Sequence, residues 1–430
     1  MDTIFAVSSG APPAAIAVLR ISGPAAMTSA AALAGALPPA RRAGLRTLRD
    51  PIDRTVLDSA LVLVFPGPNS ATGEDLVEFH LHGGRAVVAA VEATLARQPG
   101  LRAAGPGEFT RRALTAGRID LAEAEGLGDL LMAETESQRR AAIASVEGAV
   151  GRRMAEWNTR LLDLAARVEA LLDFADEEDV GDEAGAIAPV LSAIASLGDV
   201  IAATLANPPV ERLRDGIRVV LAGAPNAGKS TLLNALVERD AAIVSPIAGT
   251  TRDRIEASVV RDGIAYVFTD TAGLAEATDD PIERIGIDRA RQAIDAADIV
   301  LLLDDTIAPG AAAVIRVHAR ADLPGREVTS AGTDAVVSAM TGDGVAALWR
   351  VIADRSRGLL PRLDRLVLNR RQRDECTAAL AALRDAAGED DMLIVAEHLR
   401  RARGALDRVT GASDTEAMLD ALFGRFCIGK

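Results

Sequence analysis

The chain has 430 residues, of which 49% are hydrophobic and 25% are charged, and its formal net charge is −14. This length favours about three domains, and the acidic balance argues against a protein that holds nucleic acid through bulk positive charge, because such proteins present a basic face. Two cysteines in a chain of this size exclude a disulfide framework. The opening residues lack a signal-peptide pattern and no run approaches the roughly 18 unbroken apolar residues of a membrane span. We therefore expect a soluble, cytoplasmic protein without membrane contact.

Residues 1–118 mix strand-like alternation with one helical stretch. Alternating apolar positions in AIAVLRIS, DSALVLVF and DLVEFHLHG predict strands, and AVVAAVEATLAR predicts a helix. These patterns together predict a small α/β domain.

Two later segments have the apolar spacing of helices. Residues 119–212 contain long periodic stretches such as WNTRLLDLAARVEALLDF, and helical pattern resumes over residues 359–430. The simplest interpretation is a single helical bundle built from both segments, with residues 213–358 inserted into it.

The inserted segment begins with a phosphate-binding pattern. GAPNAGKS at 223–230 follows the apolar run IRVVLA and precedes the helical TLLNALVER, which is the strand, loop and helix order that such a loop requires. Its glycines would let the backbone wrap phosphate oxygens, Lys229 would reach the β and γ phosphates, and Ser230 would ligate Mg²⁺. Only two of the 47 Lys and Arg residues are lysines, Lys229 and Lys430. The pattern predicts nucleotide binding.

The following segment supplies the other parts of a nucleotide site. AYVFTDTAG predicts a strand that delivers Asp270, which would hold a water on Mg²⁺, and Gly273, whose N–H would sense the γ-phosphate. AGTTRDR places Thr250 and Thr251 in a loop typical of a switch that closes over the metal. The apolar runs DIVLLLDD, AAVIRVHARAD and TDAVVSAMTGDG predict three more strands. Residues 213–358 are therefore expected to form a doubly wound α/β domain.

Taken together, these motifs resemble the MnmE (TrmE) family of tRNA modification GTPases, within the TrmE-Era-like P-loop GTPases. The resemblance covers nearly the whole chain, through TGEDLVEFHLHGG, PGEFTRRAL, RIDLAEAEGLGDL, DFADEE, GAPNAGKS, AGTTRD, DTAGL, IERIGIDRA and the terminal FCIGK. It implies a small N-terminal α/β domain that binds folate and dimerises, a helical bundle, and a P-loop GTPase domain inserted in that bundle.

The resemblance also implies the residues that bind GTP and Mg²⁺. The magnesium ligands would be Ser230 and Thr251. The GTP-binding residues would be Asn226, Ala227, Gly228, Lys229, Ser230, Thr231, Ser245, Pro246, Ile247, Ala248, Gly249, Thr250, Thr251, Asp270, Thr271, Ala272, Gly273, Asp322, Ser338 and Ala339.

The base-recognition motif departs from the family pattern. Related GTPases read guanine with Asn-Lys-x-Asp, whereas this chain has Ala319-Arg320-Ala321-Asp322. Asp322 remains to accept hydrogen bonds from the base, and a backbone N–H of Ser338 or Ala339 remains for O6. Losing one such contact costs about 1 to 3 kcal/mol, so we expect a weakened preference for guanine.

Catalysis requires a group other than the usual glutamine, because Leu274 follows DTAG and cannot orient a water. The resemblance implies a potassium ion that stabilises the charge developing between the phosphates, and a catalytic glutamate at Glu283. The alternative is that Glu283 is an exposed helix carboxylate without a catalytic role. Ala275 stands where relatives often carry Arg. The potassium ligands would be Asn226, Ser245, Ile247 and Thr250.

The N-terminal domain is implied to bind a tetrahydrofolate derivative, 5-formyl or 5,10-methylene, at a dimer interface. The residues that match the family's folate site are Arg20, Glu78, Arg118 and Lys430. Considered alone, Arg20 and Glu78 are more typical of a surface ion pair. Two features differ from relatives, namely SSGAPPAA in place of a glycine-rich loop and Ala71 in place of an aromatic residue.

The two cysteines have different interpretations. Cys376 lies within an apolar helical stripe and is expected to be a small core residue. Cys427 is either an inert buried thiol or, by the resemblance, a catalytic thiol that attacks C6 of a uracil and so activates C5. A prenylation site is excluded, because Gly429 is not aliphatic.

The implied activity combines these sites. A homodimer, in a heterotetramer with an FAD- and NADH-dependent tRNA modification protein, would use K⁺-dependent GTP hydrolysis to install a (carboxymethyl)aminomethyl group at C5 of the wobble uridine. The acidic charge suggests that the partner holds much of the tRNA. The alternative is a regulatory or ribosome-assembly switch GTPase without modification chemistry, and folate binding would discriminate against it.

Overall fold

The computed structural model describes residues 2–174, 183–224, 226–237, 256–270, 291–303, 313–326, 332–411, 419, 422–424, 426 and 428–429. The chain divides into two compact units. The first unit comprises Met1–Gly128, Ser145–Glu156 and Leu406–Lys430, and the second comprises Asp129–Ala144 and Trp157–Ala405.

The first unit contains a six-stranded sheet in the order β3-β4-β5-β2-β1-β6. Its strands are β1 (Thr3–Val7), β2 (Ile16–Ser22), β3 (Gly44–Arg49), β4 (Val56–Phe65), β5 (Leu76–His82) and β6 (Leu101–Ala103). Neighbouring strands are antiparallel, except that β1 and β6 are parallel.

Three helices pack on this sheet, and they leave much of one face uncovered. The helices are α1 (Ala26–Ala34), α2 (Arg85–Ala96) and α3 (Glu108–Thr115). Leu19, Ile21 and Phe79 are buried beneath α1 and α2 on one face. Because side chains alternate along a strand, the intervening Arg20 and Glu78 project from the opposite face, where they are only partly buried. The sheet therefore presents charged groups on a face that the described helices cover only in part.

Helices occupy much of the remaining chain, and all but α8 (Glu211–Arg214) have at least 11 residues. They are α4 (Leu121–Met132), α5 (Glu136–Val146), α6 (Ala149–Phe174), α7 (Glu183–Leu205), α8 (Glu211–Arg214), α11 (Arg370–Ala387) and α12 (Met392–Thr410). In the second unit α7 packs against α11. Among the described residues, only the Ile187–Leu205 part of α7 has the length and mean hydropathy, 1.7, of a helix that crosses a membrane. That part contains Asp199, and it buries Val190, Ile194 and Leu197, which is also the pattern of a bundle helix.

The second unit contains a second six-stranded sheet, in the order β12-β11-β10-β7-β9-β8. Its strands are β7 (Ile217–Ala222), β8 (Glu256–Arg261), β9 (Ile264–Asp270), β10 (Ile299–Leu302), β11 (Ala313–Ala319) and β12 (Ala335–Val337), with helices α9 (Lys229–Val237) and α10 (Val345–Arg357). Only β8 is antiparallel to its neighbour. The strand order reverses at β7, and ligands of such sheets bind beyond the carboxyl ends of the strands at this reversal.

Apolar residues cover both faces of this second sheet, as a doubly wound fold requires. Leu221 and Leu232 belong to the cluster on one face, whereas Val220 and Val300 belong to the cluster on the other. The expected fold class is confirmed, with an N-terminal α/β domain, helical segments and a doubly wound domain. The domain boundaries at residues 118, 212 and 358 stay a prediction.

Asn207 lies just before the doubly wound domain in the chain and forms hydrogen bonds with residues that lie just after that domain. Its Oδ1 accepts a hydrogen bond from the Arg362 N–H at 3.0 Å, and its Nδ2 donates to the carbonyl oxygens of Arg362 at 3.3 Å and Leu366 at 3.1 Å. Arg373 of α11 donates to the carbonyl oxygens of Asn207 at 2.6 Å and Leu205 at 2.7 Å. The segments that enter and leave the doubly wound domain therefore lie side by side, as expected of a domain inserted into a bundle.

Candidate active site

The loop between β7 and α9 has the backbone shape of a phosphate-binding loop. Asn226 and Gly228 adopt positive φ values of 62° and 95°. A Cβ atom on Gly228 would lie 3.2 Å from Arg320 Cγ, so both the backbone conformation and the close approach favour glycine there. Pro225 lies outside the described residues.

Lys229 is buried in this loop, with 4% of its surface exposed. Its Nζ donates hydrogen bonds to the carbonyl oxygens of Gly223 at 2.8 Å and Ala224 at 2.7 Å. The ammonium group is a compact donor on a thin stem, whereas a guanidinium is a broad planar fork. The loop therefore holds a point charge at the position where phosphate oxygens would bind.

Ser230 and Asp270 meet at the carboxyl edge of the sheet. β7 and β9 are parallel neighbours with Leu221 opposite Asp270, and α9 begins directly after the loop that follows β7. As a result the Ser230 hydroxyl donates to Asp270 Oδ2 at 2.5 Å. Hydroxyl and carboxylate oxygens are the protein ligands that Mg²⁺ prefers, so this donor set fits the predicted magnesium site.

The base-recognition segment is tied directly to the phosphate loop. Arg320 follows β11 with a positive φ of 59°, and its guanidinium donates to the Asn226 carbonyl oxygen at 2.8 Å. The Ala321 N–H donates to the Val337 carbonyl oxygen at 3.2 Å. Asp322 is exposed beside them. The sequence did not predict this contact between Arg320 and the phosphate loop, because no local pattern relates positions 94 residues apart.

The two predicted backbone donors to the base differ in their partners. The Ser338 N–H donates to the Asp343 carbonyl oxygen at 2.9 Å, and the Ser338 Oγ accepts from the Thr341 N–H at 3.1 Å. The Ala339 N–H has no such partner within the part of the chain that the structure describes. Ala339 is therefore the better placed of the two to donate to a base.

A second group of predicted residues lies on the open face of the N-terminal sheet. Arg20 on β2 and Glu78 on β5 are directly opposite each other, and Arg20 Nε donates to Glu78 Oε1 at 2.8 Å. His80 Nε2 lies 3.3 Å from the other carboxylate oxygen, Glu78 Oε2. The Glu78 side chain is 14% exposed. Arg118 is exposed three residues beyond the end of α3. The structure thus brings Arg20 and Glu78 together as an ion pair, and their role in a folate site stays a prediction.

The C-terminal segment is held against this same domain. The Ser8 hydroxyl donates to the Gly429 carbonyl oxygen at 2.6 Å, and Ile428 forms a β-bridge with Pro106. Gly429 has a positive φ of 98°, and a Cβ atom there would lie 1.9 Å from the Val7 carbonyl oxygen. Only glycine fits so close an approach of two backbones.

Several predicted site positions lie outside the described residues. They are Ser245, Pro246, Ile247, Ala248, Gly249, Thr250, Thr251, Thr271, Ala272, Gly273, Glu283, Cys427 and Lys430.

Cys376 is a core residue, as its position in an apolar stripe predicted. It is fully buried in α11, and burial raises the pKa of its thiol to about 12. The thiolate is the reactive form of cysteine, so this residue is chemically inert at neutral pH.

Two family models match the chain. A model described as the MnmE helical domain matches residues 121–427, and a model described as the GTP-binding protein TrmE N-terminus matches residues 3–118.

Full-length relatives are similar along the whole chain. The protein named tRNA modification GTPase MnmE of Erythrobacter litoralis (strain HTCC2594) is 55% identical over 430 residues, which cover 100% of both chains. The protein of the same name from Rhizorhabdus wittichii is 56% identical over 437 residues, covering 100% of this chain and 97% of that protein.

The similarity to solved structures is lower. Era from Aquifex aeolicus, in a variant bound to GDP and AlF4, is 24% identical, with a TM-score of 0.27, over 41% of this chain and 69% of that chain. The G domain of the T. maritima FeoB iron transporter is 24% identical, with a TM-score of 0.24, over 33% of this chain and 98% of that chain.

Proposed function

The chain belongs to the MnmE family of tRNA modification GTPases, and we propose that its GTP hydrolysis depends on potassium and serves chemistry at C5 of the wobble uridine. As a member of this family, the chain is a GTP hydrolase that acts in tRNA modification. In this proposal a flavin- and NADH-dependent partner joins a homodimer of the chain, and together they install a (carboxymethyl)aminomethyl group. The partner provides much of the tRNA contact, and the complex acts in the cytoplasm.

The observation that carries the GTPase activity is the convergence of Lys229, Ser230 and Asp270 at one edge of the sheet. Lys229 is held at the centre of the loop, and the Ser230 hydroxyl and Asp270 carboxylate are 2.5 Å apart. When bound, Mg²⁺ neutralises charge on the β and γ phosphates. Ser230 would hold it directly and Asp270 would orient a water beside it, with Thr251 completing the protein ligands.

The base and the nucleophilic water need separate residues. Asp322 would accept hydrogen bonds from the guanine N1 and N2 groups, and the Ala339 N–H would donate to O6. The remaining predicted GTP contacts come from the loops around residues 245–251 and 271–273. Because Leu274 cannot orient a water, Glu283 would do so and would favour attack in line with the leaving phosphate.

Asn226 supports the potassium part of the proposal. It is held in a left-handed conformation, and its carbonyl oxygen is bound by Arg320 at 2.8 Å, so its position in the loop is restrained. Its side chain would bind the ion together with oxygens of Ser245, Ile247 and Thr250. A bound K⁺ supplies the positive charge that an arginine finger supplies in other GTPases.

The arrangement of the N-terminal domain supports a folate site. Arg20 and Glu78 provide a cation and a carboxylate on an open sheet face, and a carboxylate suits the donor edge of a pterin. Arg118 and Lys430 would complete the site. Lys430 follows directly after Gly429, which is bound to Ser8 at 2.6 Å. The predicted catalytic thiol of Cys427 lies two residues before Gly429, so the same anchored segment carries both residues.

A second copy of the chain is the proposed occupant of the open sheet face. Ile16, Leu45 and Leu61 are 58%, 64% and 43% exposed on that face. The strand registers place them on the same side of the sheet as Arg20 and Glu78. Exposed apolar side chains around a polar centre are typical of an interaction surface, and dimerisation here would enclose the folate site.

The first experiment compares GTP turnover in potassium and in sodium over a range of protein concentrations. We expect turnover to be higher in potassium and to rise with protein concentration, because the ion site is completed when two GTPase domains meet. Asn226→Ala should lose the potassium stimulation.

The matched control is Asn234→Ala, which removes an exposed asparagine from α9 and should retain the stimulation. Equal turnover in both salts, independent of protein concentration, would contradict the potassium mechanism and favour a plain switch GTPase.

A further inference from the structure

Three elements carry the described residues of the proposed folate site, and one loop joins them. Arg20 lies on β2, Glu78 lies on β5, and Arg118 follows α3. The connecting loop is residues 72–75, with the sequence Thr-Gly-Glu-Asp, immediately before β5. The register of β2 and β5 fixes Arg20 opposite Glu78, whereas the position of Arg118 relative to that pair depends on how this loop is attached to β2 and to α3.

Glu74 makes the attachment to β2. Its Oε2 accepts a hydrogen bond from the Ser22 hydroxyl at 2.9 Å. The Ser22 oxygen is also 2.7 Å from Thr72 Oγ1, and because the one Ser22 hydrogen points to Glu74, Thr72 is the donor in that contact. Ser22 and Thr72 are buried, with 0% and 1% exposure. The Gly23 N–H adds a bond to the Asp75 carbonyl oxygen at 3.0 Å.

Arg112 makes the attachment to α3. Its NH1 donates to Glu74 Oε2 at 3.0 Å, and its NH2 donates to Glu108 Oε1 at 3.1 Å and to Asp2 Oδ1 at 2.9 Å. Its NH1 also donates to the Asp2 carbonyl oxygen at 2.9 Å. The guanidinium side chain is 13% exposed. A planar fork that bonds several acceptors at once restrains its partners more than a single ammonium could.

Close packing continues this attachment to the proposed folate residue. A Cβ atom on Gly73 would lie 2.6 Å from Ala116 Cβ and 3.4 Å from Arg118 Cγ. The loop backbone therefore lies directly against the turn that ends α3, where the Arg118 N–H donates to the Ala113 carbonyl oxygen at 2.8 Å. The loop backbone therefore restricts the space that is available to the stem of the Arg118 side chain.

We propose that Glu74 and Arg112 are positioning residues for the folate site, which jointly hold Arg118 at its distance from the Arg20–Glu78 pair. The inference rests on the proposed folate function. Neither residue is required to touch the ligand, because both act through the loop and α3. Glu74 accepts hydrogen bonds from both β2 and α3, so neutralising it weakens both attachments at once.

A general stabilising role makes a different prediction from a positioning role. If the pair only stabilises the fold, its loss lowers the unfolding temperature and leaves the folate affinity of the folded protein unchanged. If the pair holds Arg118 at its distance from the Arg20–Glu78 pair, folate affinity falls even in protein that remains folded, because the Arg118 contact is misplaced.

The test uses the full chain and measures binding of 5-formyltetrahydrofolate by calorimetry. Glu74→Gln keeps the size of the side chain but removes the charge that pairs with Arg112, and we expect the dissociation constant to rise about tenfold. Arg112→Lys keeps a cation but loses the fork, so we expect a smaller rise than for Arg112→Gln. Thermal unfolding and GTP turnover of each variant show whether the protein is folded.

Glu156→Gln is the matched control, because Glu156 is an exposed carboxylate of the same unit and its loss should leave folate affinity unchanged. If Glu74→Gln does not fold, Ser22→Ala provides the second variant, since it removes the side-chain attachment to β2 and leaves the bond between Glu74 and Arg112 in place. Wild-type affinity in folded Glu74→Gln, or in Ser22→Ala in its place, overturns the inference. Absence of folate binding by the wild-type chain overturns the proposed folate function instead.

Discussion

The two sheets of this protein hold their candidate sites in different ways. In the second unit, the groups that would bind phosphate and Mg²⁺ come mainly from one continuous loop, and Asp270 joins them because β9 is the parallel neighbour of β7. In the first unit, Arg20, Glu78 and Arg118 come from separate elements and depend on attachments such as Glu74 with Arg112. A site built from consecutive residues is positioned by local backbone shape, whereas a distributed site is positioned by side chains that contact no ligand.

The largest effect that separates the two regions is expected from Cys427→Ser. If the thiol attacks the uracil ring, serine cannot replace it, because a hydroxyl is a far weaker nucleophile at neutral pH. We expect tRNA modification to fall below detection while GTP turnover continues. Mass analysis of wobble uridine and a phosphate-release assay measure the two activities. Unchanged modification would show that Cys427 has no chemical role.

The reciprocal effect is expected from Lys229→Arg in the second unit. The Lys229 Nζ is enclosed by the Gly223 and Ala224 carbonyl oxygens at 2.8 and 2.7 Å, and the broad guanidinium does not fit this position. We expect GTP turnover to fall by about a hundredfold or more, with 5-formyltetrahydrofolate affinity retained. A fall in folate affinity as well would contradict the prediction that the two sites can be disrupted separately. Arg218→Lys is the control, because it also exchanges one basic side chain for another but at an exposed position on β7.

The smallest effect concerns the two thiols. Burial raises the pKa of Cys376 to about 12, so at pH 8 only about one thiol in ten thousand is ionised, and the thiolate becomes a major form only as the pH approaches 12. We expect the folded Cys427→Ser chain, whose single remaining thiol is Cys376, to resist iodoacetamide at pH 8 and to be labelled at one site in denaturant. Intact-mass spectrometry counts the labels. Rapid labelling of the folded variant would show that the α11 core opens readily.

Particular elements show how far sequence reasoning extended. The expected strand IRVVLA coincides with β7, and the three later apolar runs contain β10, β11 and β12, because apolar runs beside glycine loops have few alternative structures. Strands β1, β3, β6 and β8 were not predicted, since they are short or at sheet edges and their burial depends on neighbours distant in the chain. The Arg320 contact with Asn226 and the Asn207 bonds were also missed, since neither has a local pattern.

The sequence by itself determined the phosphate loop, the placement of its strand and helix, and the family resemblance, because these depend on residues that are neighbours in the chain. Only the tertiary structure decided that Ser230 meets Asp270, that Ser338 is engaged by Asp343, and that Glu74 joins β2 to α3. The physical reason is that a hydrogen bond depends on position and direction within a few tenths of an ångström. Strand order and register bring those atoms together, and neither can be derived from the spacing of residues along the chain.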